Sequence, residues 1–349
     1  MGIANAFLFN FSASYSGGGL KRLSEYAKWF NENGGAWFII HPRCERLVEE
    51  CPANRFFIPA QPRYQRLFAD CRYLEAIGKE IGQPELYYSY GIPLYARFGA
   101  INWFHVSNVL PLVSQQVPLP LFDRLKLGHL GGRIRANLQN ADVISAESNY
   151  SLALIDARHA AKLFLSVNGS DDELAYLHTQ GPEKKENIAV VVGTYTYKAI
   201  ADSYKVFEML KQANDRLKLM IIGDEKAIPE EVRRDQDVIV RGVLERSDVA
   251  ESLRKARYYI SATRIENSYN AAAEGVFVAD ESYISDIGPH RELLAGLPFV
   301  EVSIPGMRRP VLHVRREKLS GANLKTWENV ITDMIRKVRA NACGLPRQR

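Results

Sequence analysis

The run Ile188-Ala-Val-Val-Val192 is apolar at every position, which is the pattern of a strand buried on both faces. A strand with one wet face would alternate; this one needs helices above and below its sheet. The stretch Tyr197–Ala213 that follows has helical spacing, and the couplet recurs. Leu217–Ile222, Val238–Val240, Tyr258–Ser261 and Val300–Val302 read as further strands with helices between them. An earlier series does the same, with strands over 4–10, 36–40, 55–58, 85–88 and 101–106, a strand opening at Ala141, and an amphipathic helix over Leu20–Asn31. Such alternation predicts an α/β chain of parallel sheets. At 349 residues the chain exceeds one ordinary core, so two domains are expected. An Asn168-Gly169 turn signal marks the passage between them. The last helix is predicted over Leu324–Ala340.

Hydrophobic content of 46% and charged content of 24% are those of a globular protein in water. No apolar run reaches the length of a membrane span, and the first ten residues lack a basic stretch before their apolar ones. Gly2 does not make a myristoylation site, because Ala6 stands where Ser or Thr is needed. Cys44, Cys51, Cys71 and Cys343 have neither metal-ligand spacing nor disulfide density, which implies reduced thiols in a cytoplasmic protein. A net charge of +5 favours anionic ligands or a membrane surface. With no aromatic-interleaved basic repeat, no nucleic-acid partner is expected.

Glu266 and Glu274 stand eight residues apart across a predicted loop-to-helix junction. Asn267 and Ser268 are N-cap candidates. The amides around Tyr269 and Asn270 then lie at the positive end of the helix, where an anion binds. Glu266 falls in the loop and Glu274 about two turns into the helix. Such a set suits a nucleotide-sugar: one carboxylate for sugar hydroxyls, amides for the diphosphate, the second carboxylate for the ribose. A capped amphipathic helix with two ordinary glutamates is spelled the same way.

Other candidates gather at strand ends. Gly17, Gly18 and Gly19 separate the first strand from its helix, where backbone amides approach a phosphate closely. Their spacing matches neither Gly-x-Gly-x-x-Gly nor the P-loop. His105 lies near the carboxyl end of the 101–106 strand, where open parallel sheets place ligands. Lys198 lies at the turn after Ile188–Val192. Within Phe122–Asn140, Arg124, Lys126, His129, Arg133 and Arg135 flank a Gly131-Gly132 break and predict a basic helix pair, either solvated or facing anionic lipid. Asp235-Gln-Asp237 has the letters of a metal site but falls in a charged turn, so no metal is expected.

Along most of its length the chain resembles the family 4 glycosyltransferases, retaining enzymes with the GT-B fold. The resemblance is carried by Glu266-Asn-Ser-Tyr-Asn270 with Glu274, by Ser285-Asp-Ile-Gly-Pro-His-Arg-Glu292, by Ala141-Asp-Val-Ile-Ser-Ala-Glu-Ser148, and by Val167-Asn-Gly-Ser-Asp171. It implies two Rossmann-like domains facing a central cleft: residues 1–166 on the acceptor side, 167–323 on the donor side, and 324–349 as a helix returning to the first domain. It also implies roles. Glu274 takes the ribose hydroxyls, the amides of Asn267, Ser268, Tyr269 and Asn270 the phosphate, and Glu266 the donor sugar. Lys198 faces the leaving diphosphate, Gly17, Gly18 and Gly19 lie between diphosphate and acceptor, and His105 is a substrate-positioning donor. The implied reaction moves a hexose from a nucleotide-sugar to a sugar or lipid-linked acceptor, without a cofactor or metal, from the inner face of a membrane.

Three departures qualify it. Thr194 replaces the family's phosphate-binding arginine, with Arg264 as the candidate substitute. Asn270 replaces the glycine of the commoner motif form, and Ala279-Asp-Glu281 stands where Gly-Lys-Pro is usual, a change expected to alter the cleft wall or the base preference. These departures keep a non-catalytic nucleotide-sugar-binding relative as the alternative, ahead of a sugar-nucleotide epimerase.

Overall fold

The computed structural model describes residues 7–59, 72–115, 117, 119–170, 185–316 and 325–344. The chain divides into two compact units. One runs to Gly169, apart from residues 117–119, and resumes at Lys325; the other begins at Ser170.

In the first unit, β1 (Phe7–Asn10), β2 (Trp37–Ile39), β3 (Arg55–Phe57), β4 (Leu86–Tyr90), β5 (Ile101–Val106), β6 (Val143–Ala146) and β7 (Leu163–Leu165) form one sheet. Its order is β3-β2-β1-β4-β5-β6-β7 and every pairing is parallel. Each residue of β1, β4, β5 and β6 is buried, as continuous apolar strands covered on both faces require. Aromatic packing fills one face: Phe9 stacks on Phe38 at 5.1 Å and meets Phe30 at 5.0 Å. The final helix, Trp327–Gly344, contributes Trp327, Ile331 and Met334 to that same core. Gly169 lies against Trp327 so closely that an added Cβ would stand 2.6 Å from the indole.

In the second unit, β8 (Glu186–Val192), β9 (Lys218–Ile222), β10 (Val238–Val240), β11 (Ala256–Ser261), β12 (Glu281–Ser285), β13 (Val300–Val302) and β14 (Val311–Arg315) form the other sheet. Its order is β10-β9-β8-β11-β12-β14-β13, parallel except that β14 runs antiparallel to both neighbours. In both sheets the order reverses beside the first strand, between β1 and β4 and between β8 and β11. The crevice outside the carboxyl ends of strands at such a reversal is where this architecture binds ligands.

Several elements differ from the sequence reading. Residues 4–6 of the first predicted strand, and the start of the last predicted helix at Leu324, lie outside the described residues. The short strand β7 and the antiparallel β14 were not predicted. The Gly131-Gly132 pair does not break its helix: Leu121–Asn137 is continuous. A Cβ at Gly131 would stand 2.0 Å from the Pro111 carbonyl oxygen, so this glycine permits close packing of two segments instead. Ala279-Asp-Glu281 opens β12 at its amino end, opposite to the Ser285 end, so it does not line the carboxyl-end crevice. There Asp280 pairs with Lys185 at 3.6 Å and Glu281 with His313 at 2.7 Å, beside a polar cavity of about 620 Å³ that Arg257, Arg315 and Arg316 also line. Cys44 and Cys51 are buried free thiols; Cys71 and the side chain of Cys343 lie outside the described residues.

Candidate functional site

The second unit builds its candidate site from the ends of β8 and β11. After β8 the chain passes Gly193, Thr194 and Tyr195 into a short 3-10 turn, Thr196–Lys198, then Ala199 opens the helix Ile200–Ala213. Ala199 has φ 49° and ψ 59° and is the one non-glycine residue with positive φ among the described residues. For an alanine that conformation costs about 1–2 kcal/mol, and surrounding contacts hold it. The Arg264 amide donates to the Tyr197 carbonyl at 2.8 Å, the Thr263 hydroxyl lies 3.2 Å from the same oxygen, and the Lys198 amide donates to the Tyr195 carbonyl at 2.7 Å. The two strand ends are thereby stitched together through their backbones.

That stitching sets a charge pair. Lys198 Nζ donates to Glu266 Oε1 at 2.5 Å, with both side chains largely buried. The pair joins residues 68 positions apart, and a charge-assisted bond of this kind is about twice as strong as a neutral one. Further along, Glu274 accepts from Arg246 Nη2 at 2.9 Å. Arg246 opens the helix Arg246–Lys255; it was not among the sequence candidates, because nothing in Leu244-Glu-Arg-Ser marks a partner for a glutamate 28 residues on. Beneath the two glutamates' segment, Tyr259 is fully buried. Its ring packs where a Cβ on Gly275 would stand, 2.1 Å away, which explains a glycine directly after Glu274.

The junction itself differs in detail from expectation. The helix is Asn270–Val278 and its N-cap is Tyr269, not Asn267 or Ser268; the Ser268 hydroxyl lies 3.5 Å from the Asn270 amide. Glu274 is accordingly the fifth helical residue, a little over one turn in. Thr194 is buried and packs beside Gly223, where an added Cβ would meet it at 2.7 Å. Arg264 is half-exposed and pairs with Asp202 at 3.4 Å, near the turn that carries Lys198. Asp235 accepts from the Tyr204 hydroxyl at 2.6 Å and Asp237 pairs with Lys211, so both serve the fold. Among the described residues no group of three or more His, Cys, Asp or Glu side chains is arranged to hold a metal.

In the first unit, Gly17, Gly18 and Gly19 are the opening turn of the helix Gly17–Glu32, directly outside β1. Gly17 has φ +58°, and neither Gly17 nor Gly18 has any atom within 4 Å of a would-be Cβ. Ser16 makes no side-chain cap, and the ladder begins only with the Leu20 amide on the Ser16 carbonyl at 3.4 Å. An uncapped positive helix end therefore lies open at the strand reversal. One turn deeper, Arg22 is fully buried. It donates to Asn168 Oδ1 at 3.1 Å, to the carbonyls of Ser166 and Val167 at 2.9 and 3.0 Å, and faces Glu147 at 3.9 Å.

His105 belongs to that buried network and is not on the crevice surface. The Trp103 indole donates to the Ser145 hydroxyl at 2.6 Å, and the same hydroxyl lies 2.7 Å from His105 Nδ1. Nε2 lies 3.5 Å from Glu147 Oε1, the oxygen that also accepts from the Tyr90 hydroxyl at 3.0 Å. Burial first, then the Arg22 charge, lowers the imidazole to about 4. His290, in the second unit's Gly288–Leu293 turn, donates from Nδ1 to the Ser285 carbonyl at 2.8 Å and is lowered to about 4, mainly by burial. The structure thus brings Lys198, Glu266 and Arg264 to one pair of strand ends, with Asn267–Glu274 continuing from them, and places Gly17–Gly19 and His105 in the other unit, His105 below the surface.

The basic helix Leu121–Asn137 divides its charges. Arg135 donates to the Leu112 carbonyl at 2.6 Å and Arg133 lies over the Tyr95 ring, so both serve packing. Its outer face carries Leu121, Phe122 and Leu125 at 63%, 76% and 63% exposure, interleaved with Arg124 and Lys126. Among the described residues no helix is long and apolar enough to cross a membrane.

No family model matches the chain, and no curated protein matches it in sequence. Solved structures do resemble it. Sucrose-phosphate synthase of Thermosynechococcus elongatus aligns with a TM-score of 0.66 and 14% identity over 97% of this chain and 100% of that one. HepE of Anabaena, in complex with UDP-glucose, aligns at 0.57 and 14% over 95% and 91%. WaaG, a glycosyltransferase involved in lipopolysaccharide biosynthesis, aligns at 0.57 and 12% over 83% and 84%. At these identities the likeness defines the fold. The chain is α/β with two Rossmann-like units, the GT-B architecture of glycosyltransferases.

Proposed function

We propose that the chain is a nucleotide-sugar-dependent glycosyltransferase that moves a hexose to an acceptor hydroxyl with retention at the anomeric carbon. The observation that carries this reading is the Lys198–Glu266 pair, fixed at the β8/β11 reversal with Glu274 beyond it. Breaking a glycosyl–phosphate bond builds negative charge on the diphosphate and positive charge on the sugar. Lys198 meets the first, Glu266 holds the sugar's hydroxyls, and Glu274 takes the ribose. The bond from the anomeric carbon to phosphate oxygen breaks as the bond to the acceptor oxygen forms on the same face. The acceptor proton passes to the departing phosphate oxygen. Glu266 is engaged by Lys198, which favours this course over a glycosyl-enzyme intermediate. The amides of Gly17–Gly19 suit an anion at the first unit's helix end, and buried His105 positions Glu147 and Tyr90 instead of touching the donor.

Uridine diphosphate is the first candidate, since the similar HepE structure holds UDP-glucose. A sugar or lipid-linked acceptor and attachment to an anionic membrane through Leu121, Phe122 and Leu125 complete the reading, because an apolar edge among cations suits the interface. The deciding experiment is a thermal-shift series with UDP, GDP and ADP and their glucose conjugates, followed by release of the diphosphate from whichever conjugate binds. Base-dependent stabilisation with release that fails in Lys198→Ala supports the reading; no stabilisation by any of them sinks it. Phe122→Ser/Leu125→Ser should reduce sedimentation with vesicles containing phosphatidylglycerol, and unchanged sedimentation would remove the membrane contact.

A further inference from the structure

One side chain at the second unit's turn takes no part in the assignments above. Tyr195 is 64% exposed, and its ring stacks in parallel on Tyr197, with centroids 5.6 Å and planes 6° apart. Exposure alone is unremarkable for a single aromatic residue. What distinguishes this ring is how firmly it is backed and where it stands. Tyr197 is half-buried, and burial, followed by the Glu266 charge, raises its phenol above the ordinary value, so it remains neutral. Its carbonyl is held by the Arg264 amide and neighboured by the Thr263 hydroxyl, while the Tyr195 carbonyl receives the Lys198 amide. Strain at Ala199 is tolerated at the end of the same turn. The inner face of Tyr195 is thus fixed, and its outer face is presented to solvent three residues from Lys198.

We infer that the outer face of Tyr195 is a platform on which a pyranose ring of the acceptor stacks, which makes the acceptor a saccharide. This rests on the donor assignment above. In that assignment the ribose lies at Glu274 and the base beyond it, so the ring nearest Lys198 and Glu266 is a sugar and not a base. The donor sugar belongs to Glu266, whose side chain is largely buried with that of Lys198, whereas Tyr195 stands at the exposed end of the same turn. The nucleophile must arrive next to the bond whose leaving oxygens Lys198 meets, and from the solvent side. Pyranoses carry axial C–H bonds on one face that fit the electron-rich face of a phenol.

The test uses the full chain saturated with whichever of UDP, GDP or ADP stabilises it, with methyl α- and β-glucopyranosides, galactopyranosides and mannopyranosides as acceptor probes. Proton saturation-transfer spectra should label ring C–H protons of at least one glycoside in the wild type and in Tyr195→Phe. In Tyr195→Ala the apparent affinity should fall about five- to tenfold, the size of an aromatic contact. The nucleotide's thermal shift should be the same in all three proteins. Equal labelling in Tyr195→Ala, or no labelling of any glycoside in the nucleotide-saturated wild type, overturns the platform while leaving the donor site intact. Absence of any nucleotide shift in the wild type would overturn the donor reading, and this inference with it.

Discussion

The turns that follow β1 and β8 occupy the same place in two similarly ordered sheets, yet they are made in opposite ways. After β1 the chain opens into three glycines, an uncapped helix end and empty space where side chains at 17 and 18 would stand. The nearby cation, Arg22, is sunk beneath the surface and spent on carbonyls, Asn168 and Glu147. After β8 the chain closes into stacked tyrosines, a strained alanine and a lysine aimed at a glutamate. One turn offers backbone and hides its charge; the other hides its backbone and offers charge. The difference teaches that the position of a turn in this architecture makes a ligand site available, while the side chains decide whether the site is adaptable or fixed.

That contrast can be broken at either end. Arg22→Met should have the largest effect, about 3–5 kcal/mol of lost stability, because Glu147 is left buried without its cation. Denaturant unfolding measures it, and a near-neutral result would make the network dispensable. Lys198→Ala should lower kcat by a factor equivalent to about 2.7–4 kcal/mol and also cost stability, though less than Arg22→Met, because Glu266 loses its partner but keeps some contact with solvent; turnover at the wild-type rate would move the leaving-group cation elsewhere.

The pH dependence compares the two units directly, since each buries a neutral histidine lowered to about 4. The unfolded chain protonates both near pH 6.5, so between those values it binds more protons than the folded one. Their contribution is fully present above about pH 6.5 and is lost as pH falls towards 4. From pH 7 to pH 5 the loss should be on the order of 2 kcal/mol for each imidazole. A stability curve flat over that range would mean that solvent reaches these rings. The smallest effect is expected from Ala199→Gly, a gain of about 0.5–1 kcal/mol from relief of the left-handed alanine, partly offset by chain entropy. A lower melting temperature would show that the methyl group's packing outweighs the strain.

Much of this was legible in the chain before its structure. Ile101–Val106 read as a strand in the alternating series, and β5 has those bounds. β14 was hidden by its brevity: Val-Leu-His-Val-Arg is short, follows a proline, and runs against both neighbours instead of continuing the parallel series. Gly131 misled because a glycine required for close approach is spelled like a glycine that ends a helix. Lys198 and Glu266 were each visible at a strand end, whereas their contact across 68 residues depends on the backbone bond from Arg264 to Tyr197. His105 looked like a ligand residue because local pattern carries no information about depth, and nothing in the sequence marked Arg22. Only the pairing of β4, β5 and β6 places His105 on Ser145's row and under Tyr90.

The seat of Gly169 against Trp327 bears on the order of events during synthesis. The chain leaves the first unit at that glycine and re-enters it at that indole, so the second unit is topologically an insertion. Ile331 and Met334 belong to the same core as Phe9 and Phe30, yet the ribosome makes them after all of β8–β14 has been synthesised. Until then the first sheet has one side of its core unsealed, and a nascent chain would expose those aromatics to chaperones. Truncation ahead of residue 325 should therefore leave a soluble second unit more readily than a soluble first one.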